Sequence, residues 1–118
     1  MVDHSPKHQS ESISAYRWPT FFSELDQTFK GKPIMIEQGG DLLLDDPFIP
    51  TAPLDNITFK SGRKNKFVLT TSGDQGQTIT IKHLTLVWAV RNDAGGIVAV
   101  ELISEMDEKV VVRFSNIQ

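Results

Sequence analysis

The feature that most narrows the fold is a run of apolar residues at helical spacing near the start of an otherwise strand-like chain. Trp18, Phe21, Phe22, Leu25 and Phe29 recur three and four residues apart, which lines one face of an α-helix. Thr20, Ser23, Glu24 and Gln27 fall on the opposite face, so the helix is expected to be half buried and half wet. Most of the apolar stripe is aromatic, and each ring covers a large apolar area. Ser14 is a candidate N-cap with Pro19 tolerated near the first turn, and Tyr16 or Trp18 is the alternative boundary. At the other end Lys30 complements the helix dipole, Gly31 supplies a left-handed cap and Pro33 blocks continuation. No other segment has this period, so the helix predicts a lid or plug on a β-sheet core.

Beyond Pro33 the period becomes two. Ile34 and Ile36 alternate with Met35 and Glu37, Gly39-Gly40 turns the chain, and Leu42-Leu43-Leu44 suggests a second short strand. Pro47, Pro50 and Pro53 exclude a regular central strand between them, leaving an extended connection pinned by Phe48 and Ile49. Ile57 with Phe59, Phe67 with Leu69, and Ile79 with Ile81 then mark three strands separated by polar turns. Next the apolar phase slips, because Leu84, Leu86, Trp88 and Val90 occupy even positions after the odd pair. A bulge or corner at Lys82-His83 would let Ile79 and Ile81 share one core with Leu84, Leu86 and Trp88. Asn92-Asp93-Ala94-Gly95-Gly96 reads as a hairpin loop, followed by inward rows Val98, Val100, Leu102 and, past the turn Glu105 to Glu108, Val110, Val112, Phe114. Strands joined by such short loops are antiparallel. The predicted class is α+β: one N-terminal amphipathic helix packed on a curved antiparallel sheet of about six to eight strands, a roll or partly open barrel.

A chain of 118 residues has room for one core, so residues 13–118 are expected to form a single domain. Residues 1–12 are polar and read as a disordered leader, in which His4 and His8 lack a helix that would make them a metal pair. A net charge of −3 argues against bulk affinity for nucleic acid or an anionic membrane. The absence of cysteine removes disulfides, thiolate nucleophiles and sulfur metal sites. Neither a membrane-length apolar run nor a signal peptide is legible, so the expected location is the cytoplasm.

Three short motifs, Trp18-Pro19-Thr20-Phe21-Phe22 with Gly31, Ala52-Pro53-Leu54-Asp55-Asn56-Ile57, and Val112-Arg113-Phe114, occur in an order that resembles a family of bacterial domains of unknown function. That family opens on a Trp-Pro-x-Phe-Phe helix, carries Leu-Pro-Leu-x-Gly-Ile mid-chain and closes on a hairpin ending in Arg-Phe. Here Ala52 replaces the Leu, and Asn56 replaces the Gly, a change that asparagine's tolerance of left-handed backbone absorbs. A family histidine shortly before the bend has no clear match. The resemblance implies the helix-then-meander fold and brings no activity or cofactor.

Among chemical candidates, the sharpest polar cluster is Lys60, Arg63, Lys64 and Lys66, which reads as a partner-binding hairpin tip or as a solvated loop. Its lack of interleaved aromatics disfavours a single-stranded nucleic-acid platform. Asp41, Asp45 and Asp46, and the group Glu101, Glu105, Asp107 and Glu108, match no calcium-loop spacing and read as solvated carboxylates. Tyr16, Arg17, His83 and Trp88 are candidate rim residues of a pocket between the aromatic helix and the sheet. No catalytic residue, metal site or cofactor is assigned, since phosphate-loop, nucleophile-elbow and zinc-helix motifs are all absent. The first functional reading is therefore a non-catalytic protein-interaction module, possible as a homodimer. A small-ligand carrier is the alternative, and an enzyme using His83 the third. A cavity of a few hundred Å³ beside the helix would discriminate the carrier from the module.

Overall fold

The computed structural model describes residues 9–39, 52–74 and 76–114. Within them lie β1 (Gln9–Ser12), a 3-10 turn (Ala15–Arg17), α1 (Trp18–Phe29), β2 (Pro33–Gln38), β3 (Ala52–Lys60), β4 (Lys66–Thr71), β5 (Thr78–Lys82), β6 (Leu84–Arg91), β7 (Ile97–Ser104) and β8 (Lys109–Phe114). The expected Leu42–Leu44 strand, the Phe48–Ile49 connection, His4, His8, Asp41, Asp45 and Asp46 lie outside the described residues. The eight strands form one antiparallel sheet in the order β1-β6-β7-β8-β2-β3-β4-β5, and its two edge strands do not pair. It is therefore an α+β fold with an open sheet.

The sheet has a seam at β2–β3. These strands pair only at Pro33 with Pro53 and Ile34 with Ala52, whereas β3 and β4 pair along nearly their whole length. Two facing prolines supply no backbone donor, so the ladder has little to continue on. At the opposite end a single residue, His83, joins β5, the last strand of the order, to β6, its second strand. A one-residue link between such remote positions requires the sheet to curl.

Helix α1 plugs this curl as its stripe predicts: Trp18, Phe21, Phe22, Leu25 and Phe29 are all buried. Phe22 lies 5.1 Å from the Phe59 ring and 4.8 Å from that of Phe67, measured between centroids. Trp18 meets Phe59 edge-on at 6.0 Å, and Phe29 stacks on Phe114 at 4.2 Å. The indole Nε1 of Trp18 donates to the Ile13 carbonyl at 2.9 Å, satisfying its one polar atom. The C-terminus is tied to β3: Gly31, at φ +83°, donates its N–H to the Leu54 carbonyl, and Leu54 N–H returns to Lys32. Here the positive φ is what lets the chain turn off the helix. Ser14 precedes the 3-10 turn but makes no side-chain cap, and α1 itself begins at Trp18 with Pro19 in its first turn.

Three expectations change. Residues 9–12 are not leader: Gln9–Ser12 is a strand paired with Trp88–Arg91. The polar composition hid this because an edge strand gains its backbone hydrogen bonds without an apolar row. Glu11 adds an ion pair with Arg91 at 2.7 Å. The phase slip needs two irregularities where one was expected. His83 leaves the ladder at φ +58°, and a register shift between Leu84 and Leu86 then changes parity again. Leu84, Val87 and Ala89 consequently face the core, while Trp88 is half-buried on the other face and Leu86 is exposed. After a second shift at Val90–Arg91, Ile97, in place of Val98, is the first β7 residue to pack against the core that Val100 and Leu102 join.

Candidate functional site

The basic cluster lies at the tip of the β3–β4 hairpin. Lys60, Arg63, Lys64 and Lys66 are all exposed, and their neighbours Phe59 and Phe67 point inward. Alternation along each strand places the lysines opposite to those rings. The register adds a residue that the linear sequence does not place there: Lys60 pairs with Lys66, and Lys66 pairs with Lys82 of β5. Directly opposed residues share a face, so three lysines stand side by side across three adjacent strands. The ion pairs of the described residues are Lys30–Asp26, Arg91–Glu11, Lys109–Glu101 and Arg113–Glu37, and none involves this end of the sheet.

Asn65, between the basic residues, braces the tip against the corner. Its backbone carbonyl accepts the His83 N–H at 3.1 Å, its Oδ1 accepts the Leu84 N–H at 2.7 Å, and its Nδ2 donates to the Leu84 carbonyl at 3.1 Å. The His83 carbonyl accepts the Glu105 N–H at 2.8 Å. His83 is thereby held by its backbone, and its exposed ring has no hydrogen-bond partner among the described residues. No group of acidic and histidine residues there is arranged to hold a metal ion.

The expected pocket rim is not assembled around one described cavity. Tyr16 and Arg17 border a shallow hollow of about 380 Å³ with Thr20, Phe21 and Glu24, which neither His83 nor Trp88 lines. A larger groove of about 560 Å³ runs between the C-terminal half of α1 and the β6–β7 hairpin, with Leu25, Thr28, Phe29, Arg91 and Ile97 on its walls. It opens at the rim of the helix, whereas the interface beneath is filled by the rings of Trp18, Phe22, Phe59 and Phe67. A third groove, about 610 Å³, follows the free side of β5 opposite Asp107, Glu108 and Lys109.

Lys82 was the residue missed by composition alone. Its signal was arithmetical: a hairpin folded about Asp74 sets Lys66 against Lys82, and one folded about Arg63 sets Lys60 against Lys66. The acidic group near the β7–β8 turn does not converge either. Glu101 pairs with Lys109, while Glu105, Asp107 and Glu108 are exposed around the turn that Ser104 Oγ stabilises by accepting the Met106 and Glu108 N–H groups. Comparison of the chain with protein-family models, curated proteins and solved structures finds no match.

Proposed function

We propose that this protein is a non-catalytic interaction module of the cytoplasm that holds an acidic protein partner on the basic end of β3 and β4. The observation that carries this reading is the exposed set Lys60, Arg63, Lys64 and Lys66, without ion pairs among the described residues and fixed in place through Asn65. Cations left unneutralised on a chain of net charge −3 segregate its field and steer an acidic surface to one end. In support, no helix among the described residues is long and apolar enough to cross a membrane. The ring-filled helix–sheet interface favours a module over a carrier. The carrier remains the second reading, on the strength of the 560 Å³ groove beside α1.

The test is capture from lysate with wild type and the variant R63E/K64E. Both substitutions are at exposed positions and should change stability by no more than about 0.5 kcal/mol. A partner bearing an acidic segment should be retained at low salt, released at high salt and lost with the double variant. An identical bound fraction for the two proteins at low salt would overturn the reading.

A further inference from the structure

We propose that Lys60, Lys66 and Lys82 act as one anion-binding row, and that the row takes a run of carboxylates on a polypeptide. This rests on the reading of that end as the partner surface and adds to it both a residue and a chemistry. Adjacent strands lie about 4.8 Å apart, so the three stations span roughly 10 Å. Like charges directly opposed across strands destabilise a sheet, and here the opposition occurs twice, Lys60 with Lys66 and Lys66 with Lys82. The preceding row on the same face, Thr58, Val68 and Thr80, is uncharged, so the cations are concentrated at the strand ends. A ligand with several negative charges relieves this repulsion; a neutral one leaves it standing. The Asn65 brace holds the hairpin tip to the corner beside Lys82, which lowers the ordering cost of binding. The Glu105 N–H bonds the carbonyl of His83, the residue that follows Lys82.

The chemistry favours carboxylates over phosphates. Oriented phosphate recognition draws on forked guanidinium groups or on backbone N–H groups at a helix N-terminus, whereas a lysine meets a phosphate only as a point charge. This end contributes one arginine, Arg63, and α1 is the sole α-helix among the described residues, its N-terminus at Trp18. No aromatic residue stands in the row to stack a base, and the net charge of −3 opposes a nucleic-acid strand. Successive carboxylates of a flexible acidic segment can instead meet one ammonium each.

The experiment measures binding of a labelled short oligoglutamate peptide by anisotropy at low salt, with tripolyphosphate and a short single-stranded DNA as competitors. The proteins are the full chain, K82Q, K60Q/K66Q/K82Q and R63E/K64E. We expect K82Q to weaken the peptide about threefold, as befits one exposed ion pair, and the triple variant to abolish binding. K82Q should melt at or above the wild-type temperature, because it removes a repulsion; this separates lost binding from lost folding. Wild-type affinity in K82Q with loss in R63E/K64E would overturn the row and spare the module reading. Undiminished binding in every variant would overturn both. Stronger binding of tripolyphosphate or DNA than of peptide through the same lysines would overturn the carboxylate assignment.

Discussion

Asp26 projects from the helix and accepts the Ile57 backbone N–H on Oδ1 at 2.8 Å, just past the register shift in β3. Its Oδ2 pairs with Lys30 at 3.2 Å, but Lys30 is half exposed, so that contact adds little. Asp26→Ala should therefore cost about 1–3 kcal/mol, since it strands a partly buried amide, while Lys30→Ala should cost under about 0.5 kcal/mol. Asp26→Asn keeps an acceptor oxygen and should fall between them; urea midpoints would rank the three. A K30A loss as large as that of D26A would mean that the ion pair matters and the amide bond does not. At His83 the left-handed backbone sets a different expectation. His83→Gly should hold or raise stability by up to about 1 kcal/mol, whereas His83→Val should lower it, as thermal melts would show. The corner at His83 was legible beforehand; its left-handed backbone and the role of Asp26 were not. The sequence marked a bend at His83 through apolar parity, but Asp26 reads as one more polar helix residue until β3 is seen beside it.

Among the elements, α1 was the most legible, because five large apolar residues at one period admit a single buried face. Phe22→Ala should cost about 3–5 kcal/mol, with a lower denaturant midpoint and an unchanged m-value. Full wild-type stability in that variant would remove the helix from the core. The strands were legible where the inward row keeps one parity throughout, as in β4, β5 and β8, whose inward residues Phe67, Leu69, Ile79, Ile81, Val110, Val112 and Phe114 are all buried. Alternation fails wherever the ladder slips: the shift between Leu84 and Leu86 moved Trp88 off the core face, and the apolar parity of the sequence does not record it. The element with no apolar signature, β1, was invisible for the same reason that it is an edge. Removing residues 1–12 should thus lower the melting temperature, through loss of the β1–β6 ladder and the Glu11–Arg91 pair. An unchanged melt would reduce β1 to an incidental contact.

Over the whole molecule, the core is continuous although the ladder narrows to two residue pairs between β2 and β3. Residues from both sides of the Pro33–Pro53 seam, such as Leu69 and Val100, belong to one buried cluster. Hydrogen exchange should accordingly show α1 and the central strands β7 and β8 protected together, with the edge strands β1 and β5 exchanging first. Separate protection classes for β3–β5 and for the remaining strands would indicate two independent units. The basic end was half legible at this scale. Its hairpin tip is a local charge run, but the third lysine of the row arrives only through the β4–β5 register.

The pairing of β2 with β8 also governs how the protein can be made. Glu37 and Arg113, joined across those strands, are 76 residues apart. At ribosomal rates of about 5–20 residues per second, β2 waits roughly 4 to 15 s for its neighbour to be synthesised. Phe29 waits as long for Phe114, so the aromatic stripe of α1 leaves the ribosome well before the strand that covers its end. During that interval the nascent chain presents an uncovered apolar face, the kind of surface that holding chaperones shield. A ribosome stalled within β7 should therefore display a chain that is protease-sensitive throughout, and resistance should appear in one step once β8 has cleared the exit tunnel.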